Sequence, residues 1–227
     1  MWSVPEFADR REAGRRLAGA LARFSGTETL VLALPRGGVP VGFEVARALG
    51  AKLDVLVVRK LGAPGRQEFG IGAVVDGTPP QLVLNEELAT IVGATPQYIE
   101  AEKTRQIAEI DRRKRAYRGY LPNPEIVGRT VIVVDDGIAT GGTMKAALRA
   151  LRSRKPKRLV LAVPVAPTDS LRELEFECDE IVCLARPTPF YAVGNHYEDF
   201  TQTDDAEVVR LLAEAREARG EKAGQQR

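Results

Sequence analysis

Residues 131–144 read Val-Ile-Val-Val-Asp-Asp-Gly-Ile-Ala-Thr-Gly-Gly-Thr-Met. An apolar run ends in two adjacent carboxylates, a short Gly/Thr loop follows, and a helical pattern begins on its far side. Backbone N–H groups of such a loop, at a helix N-terminus, form a concave anion site. Gly141 and Gly142 let the backbone approach an oxygen with no Cβ in the way, and the hydroxyls of Thr140 and Thr143 add donors. Asp135 and Asp136 cannot bind the same anion, but they suit a sugar diol or a divalent cation, both of which want carboxylate oxygens. No Lys-Ser/Thr pair follows the glycines, so this is not a Walker A loop. The dinucleotide fingerprint G-x-G-x-x-G is also absent. The bland alternative is a strand-to-helix turn capped by its own Asp pair.

These residues need a scaffold, and the apolar runs supply one. Thr29–Leu34, Leu53–Val58, Thr130–Val134, Leu159–Val163 and Glu180–Leu184 are continuously apolar, as strands buried on both faces of a parallel sheet are. Between them, Val41, Val45, Ala48 and Leu49, and later Met144, Ala147, Leu148 and Leu151, recur at helical spacing. The pattern predicts an α/β fold, a central mainly parallel sheet flanked by helices. An opening helix with Phe7, Leu17, Leu21 and Phe24 on one side is expected to pack over an edge. Phe69–Val75 and Gln81–Asn85 read as an antiparallel excursion around Asp76-Gly77-Thr78-Pro79-Pro80. Pro96 to Arg118 is a long basic helical pattern, either a solvated face or a mobile flap over an anionic ligand.

The whole chain narrows the function classes. Its 33 Lys+Arg against 31 Asp+Glu leave a net charge of +2, too balanced for a protein that coats nucleic acid or anionic membrane. Cys178 and Cys183 are the only cysteines and His196 the only histidine, so a disulfide framework, a four-ligand zinc site and any two-histidine mechanism are excluded. The charged stretch Met1–Arg16 is no secretory signal, and the longest apolar stretch, Leu159–Ala166, is far short of a membrane span. The expectation is a soluble cytoplasmic protein. One domain over residues 1–220 is expected, with an insertion at 86–120, a hood at about 186–203 and a frayed tail at 221–227.

The strand, acid pair and Gly-Ile-Ala-Thr-Gly-Gly-Thr loop resemble the phosphoribosyl pyrophosphate (PRPP) motif of the type I phosphoribosyltransferases. Leu34-Pro35-Arg36-Gly37-Gly38-Val39-Pro40, after the first strand, resembles that family's pyrophosphate loop, and Arg59-Lys60 its basic residues at the close of the second strand. The resemblance implies the type I phosphoribosyltransferase fold. It assigns the 5-phosphate to Ile138, Ala139, Thr140, Gly141, Gly142 and Thr143, and the ribose hydroxyls to Asp135 and Asp136. Pyrophosphate falls to Arg36, Gly37, Gly38, Arg59 and Lys60, with a strained cis peptide expected at Arg36–Gly37. Mg2+ is the implied cofactor, contacting Asp135 and Asp136 directly or through ribose or water.

Between Lys60 and Gly70, a short segment rich in Gly and Pro reads as a lid, and Arg66 within it as a catalytic contact to pyrophosphate. Phe190, Tyr191 and Tyr197, in the hood, could stack on an acceptor base; the alternative is that they close the core. The implied reaction is Mg-dependent transfer of the 5-phosphoribosyl group from PRPP to a nitrogenous acceptor, a purine or pyrimidine base. A PRPP-sensing regulator without catalysis, and a hydrolase using water as acceptor, stand as alternatives. The expected partners are PRPP and a small acceptor, with no nucleic acid or membrane; a homodimer is a further expectation.

Overall fold

Four of the five apolar runs become single strands, and each lies where its neighbours complete its ladder. In the computed structural model, which describes residues 5–26 and 28–220, the chain opens with helix α1 (Arg10–Ala20), capped by the Asp9 side chain. Strand β1 (Thr29–Ala33), helix α2 (Gly38–Leu49) and strand β2 (Lys52–Val55) follow. Three strands, β3 (Val58–Ala63), β4 (Arg66–Val75) and β5 (Gln81–Leu84), then precede the helices α3 (Glu86–Ile91) and α4 (Pro96–Arg118). The second half runs β6 (Thr130–Val134), α5 (Gly142–Ser153), β7 (Arg158–Val165), α6 (Thr168–Leu174), β8 (Glu180–Ala185) and α7 (Asp205–Ala218).

Five strands make one parallel sheet in the order β2-β1-β6-β7-β8. Successive side chains point to opposite faces, so the sheet has two cores. Val31, Ala33, Ile132, Val134 and Val160 pack with α1, α2 and α7. Leu30, Leu32, Val131, Val133 and Leu161 pack with α5 and α6. From β1 the chain turns outward to β2; from β6 it turns the other way, to β7. The two strands between which the winding reverses lie side by side, Ala33 opposite Val134. Their following loops part there, and an open α/β sheet binds its ligands in that crevice.

Two expectations need correcting. The run Leu53–Val58 is not one strand. Strand β2 stops at Val55, the Leu56 N–H donates the last ladder bond to Ala33 O, and Val58 already pairs antiparallel with Val75. A buried run that serves two sheets in succession looks continuous, because both environments ask for apolar residues. The segment between Lys60 and Gly70 is not a loop but the end of a hairpin paired out to Ala63 and Arg66. Pro64 and Gly65 make its turn, Gly65 at φ +69°.

That hairpin and α4 are joined. Tyr98 Oη donates to Gly62 O at 2.8 Å, and Arg105 Nη2 reaches Gln67 Oε1 at 3.3 Å. Pro96–Arg118 is helical as expected, started by Thr95 and Pro96, but it is not merely solvated: Gln106, Ile110, Tyr117 and Arg118 are buried. Arg118 Nη1 and Nη2 donate to Asp54 at 3.0 Å and Asp76 at 3.2 Å, and Lys114 Nζ lies 2.7 Å from Asp76. This cluster ties the helix end to β2 and the hairpin sheet. The expected frayed tail at 221–227 lies outside the described residues.

Candidate active site

Strand β6 delivers Asp135 and Asp136 to the crevice, and β1 delivers Pro35–Gly38 directly over them. A Cβ on Gly37 would overlap Asp136 Oδ2, and one on Gly38 would lie 2.8 Å from Val134 O and 2.9 Å from Asp135 Cα. Only glycine at both places lets the loops touch. The Leu34 N–H donates to Val134 O at 2.9 Å, fixing the approach. The cis peptide of this loop is Pro35–Arg36, one bond earlier than the expected Arg36–Gly37.

Two neighbouring carboxylates in a shielded crevice disfavour full ionisation. Burial pushes the Asp135 carboxyl well above the usual range, and the Asp136 charge adds to that. Burial also raises Asp136, while a hydrogen bond from Arg10 acts in the opposite direction. The Asp136 backbone N–H donates to Asp135 Oδ1 at 2.9 Å, setting the pair's relative orientation.

Beyond the acids, Ile138 is buried and its N–H donates to Val165 O at 3.0 Å, while Ser170 Oγ donates to Ala139 O at 2.6 Å. These bonds hold the loop while Thr140 and Gly142 stay exposed. Gly141 takes φ +76° and caps α5 without a side-chain hydrogen bond. The first-turn N–H groups of α5 therefore face the loop's open side, where an anion is favoured.

The basic candidates divide. Lys60 lines a cleft of about 720 Å³ together with Thr140, Gly142 and Thr143. Arg36 sits beside the glycines, its guanidinium 3.9 Å from Asp205. Arg59 turns to α4, donating to Gln106 Oε1 at 3.0 Å. Neither Arg59 nor Lys60 closes β2; both belong to β3. Arg66 stands exposed at the hairpin end and is not among the residues that line that cleft.

The hood aromatics also divide. Tyr191 is 80% exposed, and Phe190 stacks on His196 with centroids 5.3 Å apart. Tyr197 is corrected: it is buried between Phe7 and Phe200, and its hydroxyl donates to Asp136 O at 2.5 Å. It presents no face to a base. The cause lies at the other end of the chain, where the segment at Phe7 pairs with Tyr197 and covers it.

Sequence reasoning missed Arg10. Its Nε donates to Asp136 Oδ2 at 2.7 Å across a separation of 126 residues. No local spacing signals a contact at that range.

An acid pair and a Gly/Thr loop stand at the switch point of a parallel sheet, the place where open α/β folds take their ligands. The chain belongs to the phosphoribosyl transferase domain family, whose model matches residues 6–198. A Mycobacterium tuberculosis (H37Rv) protein named as a phosphoribosyl transferase is 46% identical over 209 residues, 92% of this chain and 47% of the relative. The chain thus spans about half the length of the curated relatives it matches first. TT1426 from Thermus thermophilus superposes with a TM-score of 0.80 at 44% identity, covering 92% of this chain and 98% of that one. An adenine phosphoribosyltransferase of Mycobacterium marinum is 31% identical over 172 residues, 76% of this chain and 72% of the relative.

Proposed function

We propose that the protein transfers the 5-phosphoribosyl group of PRPP to a nitrogenous base and releases pyrophosphate. One observation carries this reading: the Pro35–Gly38 loop and the Asp135–Thr143 loop meet at the switch point, so that Gly37 has no room for a Cβ beside Asp136. A ligand with a phosphate at one end, a diol in the middle and a pyrophosphate at the other matches that row of donors and acceptors. In this reading Ile138–Thr143 cradle the 5-phosphate, Asp135 and Asp136 accept from the ribose hydroxyls, and the Gly37 and Gly38 backbone with Lys60 meets the pyrophosphate.

As the bond to pyrophosphate breaks, positive charge grows on the ribose and negative charge on the leaving group. Donors fixed before the reaction lower that barrier most. The paired acids, near the ribose, offset the positive charge, and Lys60 and Arg36 the negative. Among the described residues no group of three or more His, Cys, Asp and Glu could cage a metal. Two carboxylates fit Mg2+ held mainly by water and ligand oxygens. When bound, the ion would neutralise the charge developing on pyrophosphate. A purine acceptor is favoured by the kinship with the Mycobacterium marinum adenine phosphoribosyltransferase.

The test is pyrophosphate release from PRPP and Mg2+ with a panel of bases. The reading expects release that depends on one class of base and is lost in the Asp135→Asn, Asp136→Asn double variant. Release with no base dependence would favour hydrolysis. Binding without release would favour a PRPP sensor.

A further inference from the structure

Asp136 is held by residues that lie far outside its own motif. Arg10, the first residue of α1, donates from Nε to Asp136 Oδ2 at 2.7 Å, and from Nη1 to Thr201 O at 2.7 Å. Its guanidinium also lies 3.9 Å from the centroid of the Phe200 ring. The Arg10 and Asp136 side chains are only 11% and 15% exposed, so their ion pair is shielded from the screening that weakens surface pairs. Both sides of the contact are braced. Tyr197 bonds the Asp136 carbonyl, and its ring lies 5.4 Å from Phe7 and 5.1 Å from Phe200.

The same oxygen, Oδ2, occupies the space that a Cβ on Gly37 would need. An aspartate carboxylate otherwise turns freely over a broad terminal torsion. Here that rotation is stopped by a guanidinium anchored at three places: the carboxylate, a carbonyl and an aromatic ring. Arginine suits the task, since its planar fork orders two bonds at once where lysine offers a point charge. Asp136 Oδ1 is the oxygen that Arg10 leaves unclaimed.

We propose that Arg10 is a positioning residue for sugar recognition. By fixing Asp136 through Oδ2, it orients the carboxylate toward the vicinal diol of a ribose 5-phosphate group whose phosphate sits at Ile138–Thr143. The inference rests on the phosphoribosyl reading and deepens it: selectivity for ribose over deoxyribose would depend on a residue outside every motif of the site.

Titrating the full chain with inorganic phosphate, ribose 5-phosphate and 2-deoxyribose 5-phosphate tests this by calorimetry. In the wild type, ribose 5-phosphate should bind more tightly than the deoxy sugar. In Arg10→Met that preference should shrink about tenfold, the scale of a lost charge-assisted hydrogen bond, while affinity for inorganic phosphate stays within about twofold. Arg10→Lys should restore part of the preference. Asp136→Asn should lower it alone and add nothing further in the Arg10→Met background.

A merely structural Arg10 gives a different pattern: its loss lowers thermal stability and weakens all three ligands alike, or leaves the ribose preference intact. Either result overturns the proposal while the phosphoribosyl reading stands. Wild-type protein that binds phosphate but shows no diol preference, or binds none of the three, overturns that reading and the proposal with it.

Discussion

A methyl group at position 37 would meet a carboxylate oxygen of Asp136. Gly37→Ala must therefore push the Pro35–Gly38 loop away from the acids or turn Asp136 away from Arg10. Overpacking of this kind costs about 1–3 kcal/mol, and here the cost falls on the ligand site. The expected outcome is a loss of PRPP affinity of about tenfold or more with a small change in unfolding midpoint; calorimetry beside a urea melt checks it. At this scale the sequence was most informative where chemistry is local. Asp135, Asp136 and the loop to Thr143 are contiguous, so their residue types alone state what they can bind. The Arg10–Asp136 pair and the burial of Tyr197 depend on the segment around Phe7 returning to the hood, and no spacing encodes that return.

Elements were legible when one environment governed a whole run. Pro96–Arg118 carries a Thr-Pro start and helical spacing, and it is one helix. Leu53–Val58 joins two sheets and was not divisible by periodicity. The segment Leu61–Gly70 looked like a loop because it is rich in glycine and charge, yet Gly62 packs where any Cβ would strike Gln67, so its glycine serves a close strand approach.

The hairpin and α4, joined through Tyr98 and Gly62, should act as one unit. Amide hydrogen exchange should show residues 58–70 and 96–110 changing protection together when Mg2+ and PRPP are added. Tyr98→Phe should separate the two responses. Protection of one segment alone in the wild type would refute the coupling. Along the same helix, Glu109 is held down to about 2 by hydrogen bonds from Arg112 and Arg113. A depressed carboxyl contributes stability that is complete above its ordinary value of 4.5 and is lost as pH falls toward 2. These surface pairs are worth about 0.3–0.5 kcal/mol each. Unfolding of Glu109→Gln against wild type should show a gap of that order near neutral pH that narrows from about pH 4.5 toward pH 2.

For the molecule as a whole, two packing centres must hold: the two-faced parallel sheet and the charge cluster that docks the insertion on it. Asp54 and Asp76 are both buried, and burial raises the Asp54 carboxyl although Arg118 opposes that shift. Arg118→Met removes the cation bonded to both acids and leaves Asp76 with Lys114. It should cost about 3–5 kcal/mol, the scale of a broken buried ion pair. Arg118→Lys should fall between, since one ammonium cannot fork to both carboxylates. Urea unfolding measures both.

If the loops after β1 and β6 form one PRPP site, a crystal soak with PRPP will reveal it. The 5-phosphate is expected on the backbone of Ile138–Thr143, the ribose hydroxyls on Asp135 and Asp136, and the pyrophosphate against Gly37 and Gly38. A phosphate bound elsewhere, with the 138–143 loop unliganded, would contradict it.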